Sequence, residues 1–313
     1  MGDIDVEELR RLQIEQDGLI TRAQLWSVGA RKCDLDRMLR RRELAPTAHR
    51  GVFVNHTGPL SWRQRAWAAV LYAAPAALYL ESADEPAPDD PIHLAIDATR
   101  RVGAIEGVRL HRVRELDPMV QWHLGPPRVR FEENTLALVH RAESDLEAIR
   151  LLTSAVGSRR TTAARLRQAL VGTSRIARRP FLLALLDDLE AGTCSVLEHG
   201  YLTRVERAHA LPEGRRQKPR AGVHGTEYRD VEYEEFGQVV ELDGCTGHAA
   251  WEAQGRDADR DLDDHADGRD AVRLRWAQVY GTPCRTAERL GRILARRGWT
   301  GRPRSCGPGC EAA

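Results

Sequence analysis

The longest stretch without a charged side chain in this sequence covers residues 66–80 and contains Pro75. Its fifteen residues are fewer than the roughly 17–25 that a membrane-spanning helix needs. We therefore predict a buried core helix over residues 62–80 and no membrane partner. The first residues are acidic and amphipathic, without the apolar segment of a signal peptide, so we expect a cytoplasmic protein.

Length and charge then limit the architecture and the partners. At roughly 100–200 residues per domain, a chain of 313 residues contains two or three domains. Hydrophobic residues make up 42% of it, which is enough for a sizeable core. The 47 basic and 46 acidic side chains nearly cancel, so only local charge can indicate a nucleic-acid partner.

The pattern of apolar residues predicts an α+β protein in four parts. We expect a winged helix-turn-helix domain over residues 1–60 and a mixed α/β middle region over residues 61–192. A restriction-endonuclease-like domain follows over residues 193–300, and a flexible tail over residues 301–313. The domain over 193–300 has the order αβββαβα if the basic loop 214–220 carries a strand.

The first part of the chain contains a segment with an excess of positive charge. Three short helices over residues 6–16, 22–27 and 31–42, followed by a strand over 48–54, are typical of a winged helix. Residues 31–50 hold seven basic and three acidic side chains, a net +4. We predict that this region binds double-stranded DNA, since arginine contacts both phosphates and guanine edges. The candidate contacts are Arg31, Lys32, Arg37, Arg40, Arg41 and Arg50. A solvated helix face and a surface for protein contacts are the alternatives.

Two neighbouring strands, over residues 227–234 and 238–243, are rich in carboxylates. A turn centred between Phe236 and Gly237 would pair Asp230 with Asp243 and Glu232 with Glu241, all on one face of the hairpin. Like charges opposed in this way are destabilising without a cation, and Mg²⁺ prefers carboxylate oxygens. The pattern therefore predicts a magnesium site, with a solvated acidic face as the alternative.

Glu198 has two interpretations. Ser195 and Glu198 match a capping box, in which the glutamate only caps its own helix. Alternatively, Glu198 reaches the hairpin carboxylates from a neighbouring helix.

Cysteines near the end of the chain suggest a second metal. Cys306 and Cys310 lie close together in the tail, and Cys284 lies at the preceding strand–helix turn. Three thiolates with Cys245 or His248 as fourth ligand would hold Zn²⁺. Irregular spacing and a flexible tail weaken this prediction.

Two segments resemble known families. Gly18-Leu-Ile-Thr-Arg-Ala-Gln24, followed by His49-Arg-Gly-Val-Phe-Val54, resembles the N-terminal winged helix of AbiEi-type antitoxins, which repress their own operon in type IV toxin–antitoxin systems. Ser195-Val-Leu-Glu198, Arg229-Asp230 and Val240-Glu-Leu-Asp-Gly244 resemble a nuclease-like family related to very-short-patch repair endonucleases, of the PD-(D/E)XK fold.

The second resemblance implies that Glu198, Asp230 and Glu241 form the catalytic metal site. Asp243 stands where the fold usually has lysine, and His248 could act as a base or contact phosphate. The implied activity is Mg²⁺-dependent hydrolysis of DNA phosphodiester bonds. The alternative is an AbiEi-type antitoxin or repressor whose nuclease-like domain does not cut, with a cognate toxin as partner.

Overall fold

The chain divides into two compact units, Met1–Leu138 and Val139–Ala313. The computed structural model describes residues 4–84, 91–173, 175–222, 225–243 and 270–312, and in residues 217–222 and 225–229 it describes the backbone alone. Its helices and mixed sheets confirm the α+β class. In the part of the chain described, no helix is both long and apolar enough to cross a membrane.

The first unit begins with three helices and a small antiparallel sheet in the order β1-β3-β2. These elements are α1 (Val6–Glu15), β1 (Leu19–Thr21), α2 (Arg22–Ser27), α3 (Lys32–Arg40), β2 (Ala45–Pro46) and β3 (Val52–Val54). Leu9, Ile20, Leu25, Leu35 and Phe53 form their common core.

Local signals set the ends of these helices. Thr21 and Gln24 form a capping box at the start of α2. At the start of α3, the Arg31 N–H donates to the Asp34 carboxylate at 3.0 Å. The strand predicted over residues 48–54 is shorter than expected and begins at Val52, because residues 47–51 form the turn from β2.

A second sheet completes the first unit, with five strands in the order β6-β5-β4-β8-β7. Its elements are β4 (Ala76–Leu78), β5 (Ile92–Asp97), β6 (Val108–Val113), β7 (Val120–Gln121) and β8 (Arg128–Val129). They are accompanied by α4 (Trp62–Ala73) and α5 (Leu116–Met119). The helix predicted over residues 62–80 is wrong beyond Ala73, because Pro75 has no N–H to donate and disfavours helical backbone before it. Within the rest of that stretch, Ala76–Leu78 form strand β4, and Leu80 begins a 3₁₀ turn.

The second unit combines a group of helices with a four-stranded sheet. The helices are α6 (Phe131–Arg141), which crosses the unit boundary, α7 (Asp145–Gly157), α8 (Ala163–Gly172), α9 (Arg179–Ala191), α10 (Ser195–Gly200) and α11 (Pro283–Arg296). There are also two π-helical segments. Tyr201–Arg207 directly follows α10, and Ala277–Gly281 precedes α11.

The sheet of the second unit has the order β12-β11-β10-β9. Its strands are β9 (Arg215–Gly222), β10 (Gly225–Tyr233), β11 (Gln238–Leu242) and β12 (Asp270–Leu274). The predicted basic loop therefore does carry a strand. Only the β11–β12 pair is parallel, and the other two neighbouring pairs are antiparallel. The charged helix predicted over residues 251–267 lies outside the described residues.

The core of the second unit lies between this sheet and its helices. Leu197 and Tyr201 pack with Val231 and Val240 of the sheet and with Leu290 of α11. The tail also joins this core, since Ala312 is 1% exposed. Within the predicted flexible tail, Cys310 also packs against this core, while most of the other residues are exposed.

Candidate functional site

The β10–β11 hairpin has a different register from the predicted one. Glu232 lies opposite Val239, and Val231 lies opposite Val240. The predicted pairing of Glu232 with Glu241 is therefore wrong by two residues. The cause is a longer connection, in which residues 234–236 form a 3₁₀ turn that ends at Gly237 with a positive φ of 58°. Because side chains alternate with period two, this shift leaves Asp230, Glu232 and Glu241 on one face.

Arginines and backbone groups contact the carboxylates on this face. The Leu242 N–H donates to Asp230 Oδ2 at 2.6 Å. Arg273 Nε of the neighbouring strand β12 donates to Glu241 Oε2 at 2.8 Å, and the Arg275 guanidinium lies 2.8 Å from the Asp243 carboxylate. The adjacent strand therefore supplies positive charge to Glu241, one of the two predicted metal ligands.

The Glu198 capping box predicted as one alternative does not form as expected. Ser195 is the first residue of α10, and the N-cap position belongs to Cys194, whose side chain makes no capping hydrogen bond. Asp188 of α9 supplies the cap, since its Oδ2 accepts from the Val196 N–H at 2.7 Å. Glu198 is half-buried in the first turn of this helix.

Some predicted residues cannot be placed. His248 and Cys245 lie outside the described residues, and so does the segment that joins β11 to β12. The Mg²⁺ site at Asp230 and Glu241 therefore stays a prediction.

The predicted DNA contacts are all exposed, but they differ in their electrostatic partners. Arg31 and Arg37 both pair with Asp34, and Arg41 lies 3.7 Å from Glu43. The backbone N–H of Arg31 lowers the pKa of Asp34, and the two arginine side chains add to this effect, so its carboxylate is charged at neutral pH.

Four other basic side chains of the same region do not form such ion pairs with the acidic groups that the structure describes. Among the described residues, no acidic group forms an ion pair with Lys32, Arg40, Arg42 or Arg50. Lys32 and Arg40 are exposed residues of α3, Arg42 follows its end, and Arg50 lies in the turn between β2 and β3. We call these four exposed cations the basic surface, and their positive charge is available for a polyanion.

A second cluster contains the three cysteines predicted from sequence. Cys284 Sγ and Cys306 Sγ lie 3.6 Å apart. A ring nitrogen of His209 and the Sγ of Cys310 join them, and all four atoms lie within 4.8 Å of one another. Within the described ranges, this is the one group of three or more such side chains arranged to hold a metal ion.

His209 was not predicted as a ligand. It lies just after the π-helical segment Tyr201–Arg207, far from the cysteines in sequence, and is fully buried. Its Nδ1 lies 3.1 Å from the Val205 carbonyl oxygen, whereas its Nε2 has no hydrogen-bond partner among the described residues. A lone histidine in a helical pattern carries no sequence signal for metal binding. Only the packing of the folded chain shows that His209 lies beside the cysteines.

Two of these thiols, Cys284 and Cys310, have shifted pKa values. Burial raises the pKa of Cys284. Backbone hydrogen bonds from Cys306 and Ala312 lower the pKa of Cys310 to about 6. Cys310 therefore offers a thiolate near neutral pH, the form in which cysteine binds metals.

The chain matches no protein-family model and no curated protein sequence. Its function is therefore inferred from its own residues and their contacts.

Proposed function

We propose that the protein binds double-stranded DNA through the basic surface of its first unit. The order α1-β1-α2-α3-β2-β3 supports this proposal, because it is the order of a winged helix. In helix-turn-helix proteins of this kind, the second helix of the motif enters the major groove. Here that helix is α3, and the β2–β3 turn corresponds to the wing.

The observation that carries the proposal is the group of unpaired cations. Arginine and lysine side chains that are already bound to carboxylates must give up those contacts before they can bind phosphate. Lys32, Arg40 and Arg50 need no such exchange with any acidic group that the structure describes. Each can therefore neutralise a phosphate and release a counterion, which is the main source of non-specific DNA affinity.

The test is binding of a labelled duplex by the full chain, followed by fluorescence anisotropy. We expect the triple variant Lys32→Ala, Arg40→Ala, Arg50→Ala to bind at least about tenfold more weakly than the unchanged protein. The matched control is Arg150→Ala, Arg289→Ala, Arg296→Ala, which removes the same charge from exposed positions of the second unit. Equal losses in both variants would mean that only overall charge matters, and the proposal would fail.

A second candidate function is metal-dependent cleavage of the bound DNA. It is favoured by the sheet of the second unit, which has α10 before it, α11 after it, and Asp230 and Glu241 on one face. Mg²⁺ bound there would activate a water molecule and stabilise charge at the phosphorus. Asp230 and Glu241 would hold the ion, and Arg273 would have to leave Glu241 and could then contact the phosphate.

Plasmid nicking with Mg²⁺ or Mn²⁺ tests the second candidate. We expect Asp230→Ala and Glu241→Ala each to abolish nicking. Glu235→Ala is the control, since it removes one exposed carboxylate from the same hairpin and should leave nicking unchanged. If the unchanged protein binds DNA but never cuts it, the alternative takes its place: an antitoxin or repressor that binds its operator, with a cognate toxin as partner.

A further inference from the structure

We propose that His209, Cys284, Cys306 and Cys310 together bind one Zn²⁺ ion in a closed structural site, which fastens the tail of the chain to the second unit. This inference is independent of DNA binding and of cleavage. It concerns how the second unit is held together.

The spacing of the sulfur atoms fits a tetrahedral ion. Zinc–sulfur bonds of about 2.3 Å place two ligand sulfurs about 3.8 Å apart around a tetrahedral centre. Cys284 Sγ and Cys306 Sγ are 3.6 Å apart. A disulfide would need about 2.05 Å between the two sulfurs. The pair thus has the separation of two ligands of one ion, and the other two ligand atoms lie within 4.8 Å of both.

The buried histidine is an independent sign of a ligand. His209 is 0% exposed, and a buried polar atom without a partner destabilises the folded state. The contact with the Val205 carbonyl identifies Nδ1 as the protonated nitrogen, since a carbonyl oxygen can only accept. Nε2 then keeps its lone pair and is available for a metal. Metal-bound histidines usually donate their other N–H to a neighbouring group in this way.

A backbone turn in the tail places Cys306 and Cys310 close to each other. Gly309 has a positive φ of 78°, and the Cys310 N–H donates to the Gly307 carbonyl at 3.2 Å. The tail is also tied to the histidine directly, because the Arg304 N–H donates to the His209 carbonyl oxygen at 2.8 Å. These contacts hold the ligand-bearing segments in place.

The types and number of the ligands indicate which metal binds and whether the site is structural or catalytic. Thiolates with one imidazole favour zinc over magnesium or calcium, which prefer oxygen ligands. Four protein ligands leave no open position for water or substrate, as in structural rather than catalytic zinc sites. The ion would link the end of the Tyr201–Arg207 segment, the start of α11 and the tail.

The test uses the tag-free full chain, purified in reducing buffer with zinc added and then passed through a desalting column. We expect about one zinc ion per chain by atomic emission, and a thiolate-to-cobalt charge-transfer band when Co²⁺ replaces zinc. A strong chelator should remove the ion and lower the midpoint of thermal unfolding by about 10 °C. Cys306→Ser and His209→Ala should each lose the ion, whereas Cys33→Ser, at an exposed cysteine outside the cluster, should keep it.

One further variant guards against simple misfolding. His209→Cys replaces one zinc ligand by another and should keep the ion where His209→Ala loses it. Zinc-free protein with an unchanged unfolding midpoint would overturn the proposal. So would a Cys284–Cys306 disulfide that forms in place of metal binding when the protein is kept with zinc under mild reduction.

Discussion

Glu206 is a carboxylate in the interior of the second unit, only 2% exposed. Its Oε1 accepts from Arg216 Nη2 at 2.7 Å, and its Oε2 accepts from the Tyr233 hydroxyl at 3.1 Å. The Tyr201 hydroxyl lies 2.7 Å from that of Tyr233 and extends the network. Burial raises the pKa of both tyrosines, so their hydroxyls stay protonated and can donate.

Removing this carboxylate should therefore destabilise the fold strongly. Loss of one partner from a buried ion pair costs about 3–5 kcal/mol, and we expect about 3 kcal/mol for Glu206→Ala, because Arg216 is partly exposed. The measurement is urea-induced unfolding. Glu288→Ala, which breaks the surface pair with Arg292, is the control and should cost less than about 0.5 kcal/mol. Similar costs for the two variants would show that the buried network contributes nothing special.

Single residues also show where sequence reasoning stops. The three cysteines could be grouped from their residue type, but His209 could not, because its role depends on burial and on a tail that packs against it. The six basic residues were found from composition. Their division into paired and unpaired cations depends on the acidic side chains within reach, which spacing alone does not define.

Among the elements, helices were easier to predict than strand pairing. The range of α2 was predicted correctly, because Thr21 and Gln24 give a local start signal. The hairpin register was missed because it depends on a 3₁₀ turn and on Gly237, whose geometry the alternating pattern does not encode. The predicted face of each side chain is nevertheless correct, because the observed register differs from the predicted one by an even number of residues.

The cap of α10 gives a prediction at this scale. Asp188 is 4% exposed and accepts from the Val196 N–H and from the hydroxyls of Thr193 and Ser195. We expect Asp188→Ala to cost about 2 kcal/mol in urea unfolding, since it removes the cap and leaves the buried Val196 N–H unpaired. Ser195→Ala should cost about 1 kcal/mol, one hydrogen bond. A larger cost for Ser195→Ala would support the capping box predicted from sequence instead.

For the whole molecule, the two units suggest a division of roles. The first unit presents cations on a helix and a turn that pair with no acidic group among the described residues, and the second contains the carboxylate face and the cysteine–histidine cluster. Four parts were expected from sequence, whereas contacts divide the chain into two. The α+β class could be predicted from apolar periodicity, which is local. How the middle residues are divided between the units depends on long-range packing, which periodicity does not report.

The central claim, that the basic surface binds the DNA backbone, is tested most directly by the salt dependence of duplex binding. The logarithm of the association constant should fall linearly with the logarithm of salt concentration, with a slope set by the number of phosphates neutralised. Replacing Lys32, Arg40 and Arg50 by alanine should reduce the size of that slope by about 3, one for each lost phosphate contact. A slope that is the same in the variant and the unchanged protein would contradict the account.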